Sequence, residues 1–129
     1  MSSDRIRKEL AGRPTEASAL APYGSGIYCA GWTERVYAEL LHRATVLLAH
    51  GESVVADASF ISARHRVAAT AAAAGVSADL VRLRCAASPE LAARRIRTRT
   101  GGFSDADQAI ASQMAAMADP WPGRHGDRY

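Results

Sequence analysis

Gly51-Glu52-Ser53-Val54-Val55-Ala56-Asp57-Ala58-Ser59-Phe60 is the stretch on which the fold turns. Val54, Val55 and Ala56 form an apolar run without the alternation of a strand that has one wet face. A short continuous run of this kind suits a parallel strand covered on both faces by helices. Asp57 then stands at the carboxyl end of that strand, where open parallel sheets bind their ligands. A carboxylate there can hold a magnesium ion or orient a nucleophile, or it can simply turn the chain out of the strand.

The flanks agree with an α/β reading. Upstream, residues 33–50 place Val36, Leu40, Ala44, Leu47 and Leu48 on one helical face, and Gly51 is the stop. Downstream, an alanine-rich helix over 62–74 closes at Gly75. A second strand follows over 79–85, with Arg82 and Arg84 alternating between apolar neighbours. Ser88-Pro89-Glu90 starts a helix to about residue 100 by supplying a cap, a first-turn proline and an acid. Gly101-Gly102 breaks it, and Ser104 caps a last helix carrying Ile110, Met114 and Met117, ended by Asp119-Pro120. Residues 3–11 open the chain as a short helix with Ile6 and Leu10 on one side. Residues 12–32 are irregular, carrying Pro14, Pro22, Gly24, Gly26 and Gly31 with Tyr23, Tyr28 and Trp32. The order helix, strand, helix, strand, helix, helix predicts a short parallel sheet flanked by helices, with a right-handed crossover. One domain is expected over 1–118, followed by a tail over 119–129.

Composition narrows the class. The 129 residues are 48% apolar, which excludes a disordered chain, but alanine supplies much of that fraction and predicts a thin core. The net charge of +3 rests on arginine, since Lys8 is the only lysine. Arginine suits bidentate phosphate or carboxylate contacts, although a GC-rich genome also enriches it. Cys29 and Cys85 form no metal or redox motif, which fits a reduced, cytoplasmic setting. No apolar stretch approaches the length of a membrane helix, and MSSDRIRKEL has no signal-peptide core.

Three groups could carry chemistry. Asp57 is the first. Asp4 and Arg7, one turn apart, could take a hydroxyl proton and hold a phosphate, or form a local ion pair. Arg94, Arg95, Arg97 and Arg99, ahead of Gly101-Gly102, read as a cationic lid over phosphates or as a solvated helix face. His42, His50, His65 and His125 have no metal-ligand spacing; only His65, soon after Asp57, could approach a site.

Taken together, these pieces resemble small P-loop kinases, above all AAA-family ATP-binding proteins, with gluconate kinases, polynucleotide kinases and zeta toxins as more distant relatives. Ser2-Ser3-Asp4-Arg5-Ile6-Arg7 resembles their S-S-D-x-x-R segment after the second strand. Residues 23–28 and 32–37 resemble the substrate-side loop and helix. Residues 51–60 resemble the G-x-x-V-V-x-D-A-[ST]-F strand, Arg64 to Arg66 the basic helix start, and 90–107 the arginine-rich lid. The resemblance implies an incomplete three-layer P-loop kinase-like domain that uses ATP and Mg2+. It implies Asp4 as general base and Arg95 and Arg99 as catalytic, nucleotide-binding lid arginines. It further implies Arg7, Tyr28 and Arg64 on the substrate and Asp57 at the metal.

The chain departs from this pattern at one element. The family's G-x-x-x-x-G-K-[ST] loop, which cradles phosphates at a helix N-terminus, has no counterpart here; Gly24-Ser25-Gly26 precedes no lysine and opens no helix. In the family's sheet order the strand before that loop lies between those matching 53–57 and 79–85. The expectation is therefore an N-terminally truncated domain. Either its two strands close up and pair, or an apolar edge stays open to a complementing chain or a second copy. The functional expectation is a partial ATP-dependent phosphotransferase, its parent acting on a hydroxyl of a small molecule or a nucleic-acid end. The alternatives are a non-catalytic nucleotide- or polyanion-binding module, or an interface fragment.

Overall fold

The structure is a computed structural model and describes residues 1–12, 29–98 and 105–121. It contains α1 (Ser3–Leu10), α2 (Ala30–Ala49), α3 (Ala63–Gly75), α4 (Pro89–Thr98) and α5 (Asp105–Ala116). α1 packs on α2, α2 on α3, and α4 on α5.

Local chemistry sets the helix ends. In α1, Asp4 lies in the first turn and Arg7 and Lys8 in the last, each favourable to the helix dipole. α2 begins three residues ahead of the expected start and ends in two reversed bonds, Glu52 N–H to Leu47 O and Gly51 N–H to Leu48 O. Gly51 takes the left-handed position of this motif at φ +80°, where a Cβ would be strained. α3 ends the same way, with Ala78 N–H on Ala73 O and Ser77 N–H on Ala74 O. Its left-handed residue is Ser77, φ +55°, and not the expected Gly75, which is still helical. At α4 the expected cap forms: Leu91 N–H donates to Ser88 Oγ at 3.2 Å. The Glu90 carboxyl is held below its ordinary range by a backbone hydrogen bond at its own position and by Ser88.

The core is thin, as the alanine content predicts. Ile6, Val36, Tyr37 and Leu40 form its buried cluster, with Val36 and Leu40 at 0% exposure. Met1, Leu10, Ala56, Ala58 and Phe60 pack around them. Ala56 is thus the residue by which the 53–57 segment touches the core.

The expected parallel sheet does not form. Among the described residues the only pairing is a parallel bridge between Ser2 and Asp57. One edge of the segment is pinned there: the Met1 ammonium donates to Val55 O at 2.6 Å, Asp57 N–H to Met1 O at 2.8 Å, and Ser3 N–H to Asp57 O at 2.9 Å. Residues 79–85 make no ladder, although their course is fixed against α3. Ala78 bonds Ala73, Arg82 Nη2 donates to Thr70 Oγ1 at 2.8 Å, and Arg84 and Arg66 both face the Trp121 ring. This segment therefore runs back along α3, antiparallel to it. Residues of both segments line a groove of ≈ 640 Å³.

Candidate functional site

The corner where residues 1–4 meet residues 57–61 brings several singled-out groups together. The Ser3–Asp57 backbone bond sets the first turn of α1 beside the end of the 53–57 segment. Asp57 is exposed, and its carboxylate accepts no hydrogen bond from the described residues. Asp4 is exposed one residue beyond the bridge, and its partner is Lys8 Nζ at 2.9 Å rather than Arg7. Arg7 turns inward instead. Its two terminal nitrogens lie 3.4 Å from Thr33 Oγ1, in the seam between α1 and α2.

The turn that follows Asp57 is strained and heavily tied down. Phe60 has φ +44°, a left-handed conformation that is costly for a bulky residue. Its N–H donates to Tyr37 Oη at 2.9 Å, and Tyr37 Oη also bonds Ser59 Oγ at 3.3 Å. From the other side, Arg66 Nη1 donates to Phe60 O at 2.7 Å and Ile61 O at 3.0 Å. Arg66 Nη2 reaches Asp119 O at 3.3 Å and Pro120 O at 2.8 Å, and its guanidinium lies 4.9 Å from the Trp121 ring centre. A buried cation with four carbonyl partners explains why Arg66 is tolerated at the start of α3. Strain of this sort persists only where its surroundings over-determine it, and it concentrates at functional turns.

Beside the turn lies a buried pair that sequence reasoning missed. The His65 ring stacks on Tyr37 with centroids 3.7 Å apart, and His65 Nε2 lies 2.9 Å from Glu34 Oε1. Among the described residues, His65 Nδ1 is buried without a hydrogen-bond partner. Glu34 also pairs with Arg64, so Arg64, expected on substrate, is instead engaged across the α2–α3 seam. Glu34 and Tyr37 are one helical turn apart on α2. That spacing, next to the His65-Arg66 dipeptide, was the signal available in sequence.

The remaining expected residues are not joined to this corner. Tyr28 and Arg99 lie outside the described residues. Arg94 and Arg95 are exposed on α4, the helix packed against α5. Among the described residues no three His, Cys, Asp or Glu side chains cluster to hold a metal. Asp57 is then a single carboxylate, which suits magnesium better than a cation that needs a protein cage, since magnesium keeps much of its water. The triphosphate fits less well. No described helix starts from a glycine-rich loop that carries a lysine, and Lys8 is committed to Asp4.

Comparison with known proteins now identifies the class. The chain belongs to the AAA domain family, whose pattern it matches over residues 1–120, and this defines a P-loop kinase-like nucleotide-binding domain. It is similar to the uncharacterized proteins Mb2027c of Mycobacterium bovis and MT2060 and Rv2004c of Mycobacterium tuberculosis. Each is 33% identical over 125 residues, covering 97% of this chain and 25% of the relative. The chain thus spans about a quarter of the length of these relatives. No solved structure matches it significantly. Among the described residues no helix is long and apolar enough to cross a membrane.

Proposed function

We propose that this chain forms the acceptor and metal side of a P-loop kinase-like phosphotransferase domain. The observation that carries this reading is the backbone bridge between Ser2 and Asp57, which holds the start of α1, with exposed Asp4 two residues on, against the end of the segment that carries exposed Asp57. Asp57 offers one oxygen to a hydrated magnesium ion, and the ion when bound neutralises phosphate charge. Asp4, released from Lys8, accepts the proton of an acceptor hydroxyl. Arg7 braces the α1–α2 seam behind it, and Arg95 and Arg99 belong to a lid that closes over phosphates. The described residues lack a phosphate cradle, so no transfer step is assigned to the chain by itself.

Calorimetric titration with ATP tests the reading. Weak, magnesium-dependent binding is expected, in about the millimolar range, and Asp57→Asn abolishes it. Binding that ignores magnesium and Asp57→Asn, falls steeply with salt and extends to other polyanions sinks the proposal in favour of an arginine-based polyanion module.

A further inference from the structure

Exposure alternates along residues 56–60. Ala56, Ala58 and Phe60 pack against the core, while Asp57 and Ser59 between them are exposed. Ser59 differs from Asp57 in one respect, because its hydroxyl is anchored from beneath. Ser59 Oγ lies 3.3 Å from Tyr37 Oη, and Tyr37 is buried. The hydroxyl of an exposed serine is ordinarily free to rotate; this one is tied to a phenol in the core.

Proton accounting fixes the sense of that bond. Phe60 N–H donates to Tyr37 Oη at 2.9 Å, so the phenol oxygen already accepts a hydrogen. Its own hydrogen has Ser59 Oγ as partner, and a phenol is the stronger donor of the two hydroxyls. Ser59 Oγ accepts it and keeps one lone pair and its own hydrogen for the solvent side. The phenol is itself braced. His65 stacks on it with centroids 3.7 Å apart and planes 9° apart, and Glu34 Oε1 holds His65 Nε2 at 2.9 Å. The Phe60 ring meets it edge-on at 5.4 Å. The left-handed turn at Phe60 presents the N–H to Tyr37, so the strain there has a product: an oriented hydroxyl two residues from Asp57.

We propose that Ser59 is a second oxygen of the Asp57 site and that Tyr37 is its positioning residue. This rests on the acceptor-and-metal reading above and names a binding group that reading lacks. Asp57 carries the charge that attracts a hydrated magnesium ion. Ser59, neutral, meets the ion's water shell: its free lone pair accepts a hydrogen bond from a metal-bound water, and its hydrogen serves a phosphate oxygen of the nucleotide. The Glu34–His65 pair acts one contact further back, by keeping the Tyr37 ring in place.

Calorimetric titration of the whole chain with magnesium-ATP tests this. In Ser59→Ala the Kd should rise about fivefold, while the melting curve stays in place because the site is exposed. Ser59→Thr restores the hydroxyl and should return the Kd to within about twofold of the parent. Tyr37→Phe keeps the stacked ring and removes Oη, and should weaken binding about as much as Ser59→Ala. The double variant should lose no more than either single one, since the two hydroxyls act as one unit. A parent-like Kd in Ser59→Ala, with Asp57→Asn still abolishing binding, overturns the proposal and leaves the Asp57 reading standing. Losses that multiply in the double variant overturn it as well. A parent chain whose ATP binding ignores magnesium and Asp57→Asn sinks the Asp57 reading, and the role of Ser59 falls with it.

Discussion

Val36 and Val81 are the same side chain in opposite situations. Val36 lies at 0% exposure between α1, α2 and the turn after Asp57; Val81 lies at 78% on a segment that reads just as apolar in sequence. The difference is the supply of partners. Around Val36 the chain brings α1, α2 and Ala56 together, and one backbone edge is pinned by residues 1–3. Around Val81, among the described residues, the neighbouring segment is α3, on one side. Apolar residues are buried by what faces them, so equal hydrophobicity yields a core on one flank of the molecule and a groove on the other.

Substitutions can break that comparison. Leu40→Ala should cost about 2–5 kcal/mol in urea unfolding, whereas Leu83→Ala should stay within about 0.5 kcal/mol. Equal costs would mean that the groove is closed in solution. Arg66→Met keeps the side-chain stem but removes four carbonyl bonds where the two flanks meet. A loss of about 2–3 kcal/mol is expected, with Trp121 emission moving toward that of water-exposed indole. Ser77→Gly, at the groove rim, relieves a left-handed non-glycine and should add about 0.5–1 kcal/mol.

The smallest effect belongs to the packed flank. Arg43 binds both Glu9 and Glu39 and is raised in pKa chiefly through Glu39, while Glu9 is held below its ordinary range chiefly by its hydrogen bond to Arg43. A depressed carboxylate stabilises the fold above its unfolded pKa, and that contribution fades as pH falls through the folded value. Glu9→Gln should therefore lower stability slightly at neutral pH and converge with the parent chain as pH falls through the folded value. Added salt should shrink even that difference, since both groups are exposed. Melting curves from neutral to acid pH check it.

What the sequence made legible follows from range. The helices were readable because their signals are local: Ser88-Pro89-Glu90, the spacing of Val36, Leu40 and Ala44, and Gly51. Residues 53–57 and 79–85 read locally as strands, yet neither forms one among the described residues. Whether they pair was left open in the sequence, because pairing depends on what stands between residues that are far apart in the chain. Asp57 was legible as a site candidate from its position at the end of an apolar run, and Asp4 from its one-turn spacing to Arg7. The Glu34–His65 contact and the Arg66 carbonyl cluster were not, since their partners lie 31 and up to 54 residues away. Gly75 misled because the left-handed turn falls two residues later, on Ser77.

The first amide of α3 has a distant keeper. Ala63 N–H donates to Asp119 Oδ2 at 2.7 Å, while the side chain of Ser62 makes no capping bond. A helix usually carries its own cap within a few residues; this one borrows a carboxylate from 56 positions on. During synthesis, α3 therefore waits with an open N-terminus until Asp119 has left the ribosome. Its final turn of stability arrives late, together with the anchoring of Trp121.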